Sequence, residues 1–219
     1  MGKWTDNDLY LLENLIGEDA VFAKTLAASR ESGLQEAEVS PAQGKFLYLL
    51  ARIKNAKRIL ELGTLGGYSA IWLARALPRG GVLISLEYSE VHARTARKNI
   101  ENAGLSDKIR VIQGAAADSL NKMIADKEEP FDMIFIDADK PNYSLYLELT
   151  LRLSKPGTLI YSDNVIRNGE LCNAENPDPS VRGVREFIGA LGKSAALEST
   201  ALQTVGIKGY DGFTLSVVV

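Results

Sequence analysis

Five short apolar runs, rich in β-branched residues, recur along the chain and predict strands. They lie at residues 58–62, 82–87, 109–113, 131–136 and 158–162. Their centres are spaced by roughly 25 residues, which leaves room for one helix and two loops between consecutive strands. Such alternation is typical of an α/β protein, in which a mostly parallel sheet carries helices on both faces.

Helical patterns of apolar and polar positions fill the segments between these strands. Residues 68–77 place their apolar side chains on one stripe, residues 89–104 begin with Ser as an N-cap and stop at Gly, and residues 143–153 end before a Pro-Gly pair. Ahead of the first strand, residues 5–30 and 41–53 also predict helices.

The pattern changes after residue 195, where two strands are predicted, joined through a Gly/Asp turn at residues 208–212. A hairpin added to five parallel strands would leave an antiparallel strand at the sheet edge. No internal repeat or linker is visible. We therefore predict one domain over residues 1–219, with N-terminal helices over 1–55 and a doubly wound, Rossmann-like core over 56–219.

Composition narrows the class of protein. The net charge is −3 and the sequence pI is about 5.4, without a long basic run, which argues against a nucleic-acid partner. The single Cys172 cannot form an internal disulfide. No apolar run approaches the roughly 18 residues of a membrane span, and the polar start does not resemble a signal peptide. These features predict a cytoplasmic protein.

A glycine-rich turn follows the first predicted strand. It has the pattern E-x-G-x-x-x-G, formed by Glu61, Gly63 and Gly67. The dinucleotide pattern G-x-G-x-x-G fails, because Leu65 and Tyr68 occupy the positions of its second and third glycines. Glycines let a backbone approach a ligand, and the helix N-terminus that follows favours negative charge. A tight turn without a ligand is the alternative.

Glu87 closes the second predicted strand, at the same sheet edge as the glycine turn. A carboxylate there can accept hydrogen bonds from both hydroxyls of a ribose. Glu87 alone would suit a solvated strand end, but the two features together favour an adenosine-bearing cofactor over a nicotinamide dinucleotide.

Two further strands end in polar residues. The fourth delivers Asp137, Asp139 and Lys140, and the fifth delivers Asp163 and Asn164. Buried carboxylates need a partner or a metal, and hard oxygen ligands suit Mg²⁺. The sequence has no Cys/His cluster for zinc. Lys140 is a candidate general base, since a nearby cation and partial desolvation both favour the neutral amine. An Asx turn and a surface lysine are the alternatives.

These segments resemble a known family. The runs "RILELGTLGGYSA", "FDMIFIDADKPNY" and "YSDNVIRNG" are similar to those of bacterial cation-dependent class I S-adenosylmethionine O-methyltransferases, the caffeoyl-CoA and catechol O-methyltransferase group. The resemblance covers about residues 35–219. It implies a Rossmann-like class I methyltransferase fold, with a seven-stranded, mostly parallel sheet, an antiparallel strand in the C-terminal hairpin and helices on both faces.

The resemblance also implies roles for individual residues. Lys140 matches the catalytic lysine, Asn168 matches a substrate-side residue, and Asp137, Asp163 and Asn164 match ligands of a divalent cation, with Mg²⁺ favoured over Ca²⁺ or Mn²⁺. The positions that match the S-adenosylmethionine site are Val39, Glu61, Gly63, Ser69, Glu87, Ala116, Asp137 and Asp139. Arg167 departs from the plant enzymes, which have a Trp there, so phenylpropanoid-CoA specificity does not transfer.

The predicted function is methyl transfer from S-adenosylmethionine to a hydroxyl of a catechol-like or phenolic small molecule. A tRNA hydroxyuridine methyltransferase and a non-catalytic cofactor-binding protein are the alternatives. Relatives are commonly dimers and the N-terminal helix is rich in apolar residues, so we also predict a homodimer. His92, the only histidine, is predicted to be a surface residue without a catalytic role.

Overall fold

The computed structural model describes residues 3–219. The strands are β1 (Arg58–Leu62), β2 (Val82–Glu87), β3 (Ile109–Gln113), β4 (Met133–Ile136), β5 (Leu159–Asp163), β6 (Leu197–Gly206) and β7 (Gly209–Val218). The α-helices within the described residues are α1 (Lys3–Leu15), α2 (Ala20–Glu31), α3 (Pro41–Ile53), α4 (Tyr68–Ala76), α5 (Glu90–Asn102), α6 (Ala116–Ala125), α7 (Tyr143–Leu151) and α8 (Pro179–Lys193). Short 3₁₀ turns span Lys140–Asn142 and Glu170–Cys172.

The seven strands form one sheet in the order β3-β2-β1-β4-β5-β7-β6. Strands β1 to β5 pair in parallel, and β7 pairs antiparallel with both β5 and β6. The predicted seven-stranded, mostly parallel sheet with an antiparallel hairpin strand is therefore confirmed. The antiparallel strand is not at the edge, however. β7 lies between β5 and β6 because the last strand pairs along the whole of β5, from Leu159 opposite Val217 to Asp163 opposite Phe213.

Two element boundaries differ from the sequence prediction. The helical segment predicted at residues 5–30 is divided into α1 and α2, because Gly17 has a left-handed backbone (φ +71°) and Asp19 starts a new helix. The side chain of Asp19 accepts a hydrogen bond from the Val21 N–H at 2.9 Å, as an N-cap does. The hairpin turn lies at Ile207 and Lys208, so it overlaps the predicted 208–212 turn only at Lys208, and Tyr210 already belongs to β7.

Side chains alternate between the two faces of the sheet, and both faces are buried along β1, β2, β4 and β5, whereas β6 is largely exposed. One face, covered by α2 to α5, includes Ile59, Met133 and Tyr161. The other, covered by α6 to α8, includes Leu60 and Ile134. The central strands β1, β2, β4 and β5 are thus mostly apolar, as buried parallel strands are. Their acidic side chains lie toward their carboxyl ends.

No helix within residues 3–219 is both long and apolar enough to cross a membrane. The homodimer and the cytoplasmic location stay predictions. Helix α1 exposes several large apolar side chains, namely Trp4, Leu9, Tyr10, Leu11 and Leu15.

Candidate active site

A cavity of about 900 Å³ opens at the carboxyl ends of the parallel strands. In open α/β sheets this edge is where ligands bind. Predicted site residues that line the cavity are Val39, Gly63, Ser69, Glu87, Ala116, Asp137, Asp139, Lys140 and Asn164. One cavity therefore brings together residues from four strand ends, the segment before α3 and the start of α6.

The glycine turn after β1 approaches the end of β4 very closely. Gly63 has a positive φ of +95°, and a Cβ placed on it would lie 2.4 Å from the backbone oxygen of Asp137. A side chain cannot be accommodated at that distance, so glycine is required for both reasons. The turn that follows is held by Glu87, whose Oε2 accepts hydrogen bonds from the N–H groups of Thr64 (3.0 Å) and Leu65 (2.8 Å).

Glu61 lies behind the cavity wall rather than at its surface. It is fully buried, and its carboxylate accepts hydrogen bonds from the Ser69 hydroxyl at 2.6 Å and from the Ser85 hydroxyl. Burial raises the pKa of Glu61 to about 8. Ser69 lines the cavity, so its hydrogen bond links Glu61 to the cavity wall.

Lys140 lies within the 3₁₀ turn after β4, and its Nζ is 2.7 Å from Oδ1 of Asp137. Burial on its own lowers the pKa of Lys140, but the Asp137 carboxylate outweighs it and raises that pKa above its usual range. The lysine is therefore an ammonium ion when Asp137 has no other positively charged partner. The neutral base expected from the sequence concerns Lys140 beside a bound cation, and it stays a prediction.

Asp163 ends β5 beside Asp137. Burial, and then the negative charge of Asp137, raise the pKa of Asp163 to about 7. Asn164 follows with a left-handed backbone (φ +56°) and lines the cavity. No cluster of three or more His, Cys, Asp or Glu side chains suited to a metal exists among residues 3–219. Two mutually repelling carboxylates and an amide oxygen are nevertheless a donor set that fits a hard divalent cation.

Two tyrosines of α7 support the strand ends. The Tyr143 hydroxyl shares its one hydrogen between the backbone oxygens of Ile136 (3.1 Å) and Asp163 (2.9 Å), which ties the end of β4 to the end of β5. The Tyr146 hydroxyl donates to Asp139 and lines the cavity. Tyr143 is thus a packing residue, whereas Tyr146 belongs to the cavity wall.

Comparison with known proteins identifies the family. A family model described as O-methyltransferase matches residues 16–217, which is nearly the whole chain. The chain belongs to the O-methyltransferase family.

Other members of this O-methyltransferase family are similar over almost their full length. A catechol O-methyltransferase of Niastella koreensis is 50% identical over 211 residues, covering 95% of both chains. A catechol O-methyltransferase of Mycobacterium tuberculosis is 44% identical, covering 97% of this chain and 95% of the relative. The crystal structure of the Bacillus cereus O-methyltransferase in complex with SAH has a TM-score of 0.97 and 50% identity, covering 99% of this chain and 98% of that chain.

Some residues of this O-methyltransferase lie where the sequence did not place them. Asn168 is exposed and does not line the cavity, whereas its neighbour Arg167 does. His92 lines the cavity, with Nδ1 3.4 Å from Oε1 of Glu87. Ser180 of α8 also lines it. The position of His92 beside the cavity could have been inferred from the sequence, because His92 lies in the first turn of α5, the helix that follows Glu87.

Proposed function

We propose that this methyltransferase transfers the methyl group of S-adenosylmethionine to a hydroxyl of a catechol, assisted by a divalent cation. The observation that carries the proposal is the shared cavity. It places Glu87, at the end of β2, in one space with Asp137, Lys140 and Asn164, at the ends of β4 and β5. The names of the N. koreensis and M. tuberculosis relatives support the acceptor class.

The order of the strands separates the two halves of the proposed site. β2 and β5 are three strand spacings apart in the sheet, which corresponds to about 14 Å. We assign the β2 end to the adenosine, with Glu87 accepting from its ribose and Ala116 beside its base. Gly63, Ser69, Val39 and Asp139 would border the methionine part, and the acceptor would occupy the β5 end. The SAH bound to the B. cereus enzyme supports the cofactor.

Asp137, Asp163 and Asn164 would hold the cation. When bound, the cation supplies positive charge that lowers the pKa of an acceptor hydroxyl and neutralises Asp137. The raised pKa of Asp163 supports this assignment, because two adjacent carboxylates are strained electrostatically without a positive partner.

Lys140 would then remove the proton of the acceptor hydroxyl. With the charge of Asp137 neutralised, burial becomes the dominant influence on Lys140 and favours the neutral amine. Its Nζ accepts the proton, the hydroxyl oxygen forms a bond to the methyl carbon of S-adenosylmethionine, and the sulfur–methyl bond breaks to leave the thioether. The reaction needs no covalent enzyme intermediate, so orientation and electrostatics supply the catalysis.

The test is methyl transfer to 3,4-dihydroxybenzoate and to 4-methylcatechol, with Mg²⁺ and then with excess chelator. We expect transfer with Mg²⁺ and its loss in chelator. Asp163→Ala should lower kcat by at least about 100-fold, because it removes a cation ligand. Binding of S-adenosylhomocysteine, measured by calorimetry, should change little.

Asp107→Ala is the matched control, since it removes one exposed carboxylate outside the cavity lining. Full activity of Asp163→Ala in chelator would refute the role of the cation. Cofactor binding without transfer to any catechol would refute the acceptor class and favour a larger acceptor such as tRNA.

A further inference from the structure

Arg167 brings a positive charge without a partner to the proposed acceptor end of the cavity. It follows Asn164 by three residues on the loop after β5, and it is one of the residues that line the cavity. The Nε atom is buried, yet it has no hydrogen-bond partner within residues 3–219. Leaving a charged donor buried and unpaired is costly, so the group is expected to meet a partner when the cavity is filled.

The backbone that carries Arg167 is fixed in an unusual conformation. Arg167 has a positive φ of +55°, which a non-glycine residue adopts only at a cost of about 1 kcal/mol or more. Oδ1 of Asp211, on β7, accepts hydrogen bonds from the N–H groups of Ile166 (2.9 Å) and Arg167 (3.0 Å). The C-terminal hairpin therefore holds the backbone of this loop in place, and with it the point from which the Arg167 side chain extends.

The other ionised side chains of the cavity are already engaged within the described part of the chain. Lys140 is paired with Asp137, and Glu87 accepts hydrogen bonds from the glycine turn. Glu38 forms ion pairs with Arg30 and Lys208, and these two partners lie outside the cavity lining. Asp139 accepts from the Tyr146 hydroxyl and the Asn142 amide. Among residues 3–219, Arg167 forms no ion pair with any of these carboxylates, so its charge is available to an anionic ligand.

We propose that Arg167 binds a carboxylate of the acceptor, and that the preferred acceptors are catechols that carry an acid group on the ring or on a short side chain. The planar guanidinium presents parallel N–H donors that match a carboxylate, and its charge persists at every physiological pH. The assignment rests on the proposed catechol methyltransferase function. It concerns which catechols are preferred, not whether catechols are methylated.

The experiment compares two acceptors that differ in charge, 3,4-dihydroxybenzoate and the neutral 4-methylcatechol, in the enzyme and in Arg167→Ala. We expect Arg167→Ala to lower kcat/KM for the acid by about 10- to 100-fold, the usual effect of losing a hydrogen-bonded charge pair. For 4-methylcatechol the change should stay below about threefold. Arg167→Lys should retain part of the preference for the acid, because lysine keeps the positive charge but lacks the parallel N–H donors of the guanidinium.

Arg182→Ala is the matched control, because it removes one exposed arginine next to Val181 of α8 without touching the cavity lining. Equal losses on both acceptors in Arg167→Ala would overturn the inference while leaving the methyltransferase function intact. The same selective loss in Arg182→Ala would also overturn it, because it would point to the overall charge. Absence of transfer to either acceptor in the unmodified enzyme would instead refute the proposed function, and the inference with it.

Discussion

At the scale of single residues, the site depends on close backbone approach as much as on side-chain chemistry. Gly63 allows the turn after β1 to contact Asp137, the residue that directly follows β4. The position of the glycine turn and the position of the proposed cation ligand Asp137 therefore depend on each other. Displacing either backbone would move the other.

We expect Gly63→Ala to lower the free energy of unfolding by about 2–4 kcal/mol, since its Cβ would meet the Asp137 backbone oxygen and its φ is positive. Affinity for S-adenosylhomocysteine should fall as well. Denaturant unfolding and calorimetry measure the two effects.

Gly80→Ala is the control for strain alone. Gly80 also has a positive φ (+78°), but a Cβ on it would have no neighbour within 4 Å. Gly80→Ala should lower the free energy of unfolding by only about 1 kcal/mol and leave cofactor binding unchanged. Equal losses in the two variants would show that the contact with Asp137 is unimportant.

The residues at the strand ends were predictable because a parallel sheet brings its carboxyl ends to one edge. Glu87, Asp137 and Asn164 follow from that rule. The burial of Glu61 behind Ser69 was not predictable, because it depends on which face of β1 meets α4. The positive φ of Arg167 depends on Asp211, 44 residues away, and no local signal announces it.

At the scale of elements, the C-terminal hairpin does more than extend the sheet. Its turn reaches the N-terminal helices, where Asp8 of α1 accepts a hydrogen bond from the Ile207 N–H at 2.8 Å. Lys208 Nζ lies 3.0 Å from Oε1 of Glu38, which also accepts from Arg30 at 2.7 Å. Burial opposes ionisation of Glu38, but these hydrogen bonds outweigh it and keep its pKa below the usual range. The hairpin thus fixes the segment before α3, which forms one wall of the cavity.

Lys208→Ala should therefore weaken cofactor binding without affecting the chemical step. We expect KM for S-adenosylmethionine to rise about two- to fivefold, the range of a partly exposed ion pair, with kcat unchanged at saturation. High salt should reduce the difference between the variant and the unmodified enzyme.

Lys122→Ala provides the comparison, because it removes an exposed ion pair of 2.8 Å between Lys122 of α6 and Asp126, which directly follows that helix. A change in kcat rather than KM for Lys208→Ala would place Lys208 in the chemical step instead.

Helices and strands were predictable where the pattern of apolar residues was long and ended at a clear cap or breaker residue. Ser89 as the N-cap of α5 is confirmed, with its side chain accepting from the His92 N–H. The break between α1 and α2 was signalled by Gly17 and Asp19, but the surrounding apolar pattern concealed it. The hairpin turn was predicted too far along the chain because most of the Gly/Asp-rich stretch, residues 209–212, lies within β7, where Asp211 holds the loop of Arg167 rather than making the turn.

At the scale of the whole molecule, stability at neutral pH depends in part on Asp132. This residue lies at the amino ends of the parallel strands, opposite the end that carries the cavity. Its carboxylate accepts hydrogen bonds from the N–H groups of Lys57 (2.8 Å) and Arg58 (3.0 Å), and it pairs with Lys155 at 2.7 Å. Burial raises the pKa of Asp132, but these interactions outweigh it and lower the pKa below the ordinary value.

A lowered pKa contributes stability above the unfolded-state value of about 4, and that stability is lost as the pH falls through the folded-state value. Asp132→Asn should therefore lower the free energy of unfolding by about 1 kcal/mol at pH 7 and by less at about pH 3, where part of the contribution is lost. Urea unfolding at both pH values measures the difference. Asp126→Asn, in an exposed pair, should cost less than about 0.5 kcal/mol at either pH. A pH-independent loss in Asp132→Asn would contradict the electrostatic explanation.

The position of β7 has a consequence for how the protein is made. A ribosome synthesises the chain from its N-terminus, and β7 emerges after both β5 and β6, yet it lies between them. Until β7 is released, β5 is paired only with β4, and β6 has no neighbour to join. Asp211 cannot yet hold the loop of Arg167, so a nascent chain has its strand-end acids in sequence but lacks the fixed loop of the proposed acceptor site. Competence to bind an acceptor should therefore depend on the emergence of β7.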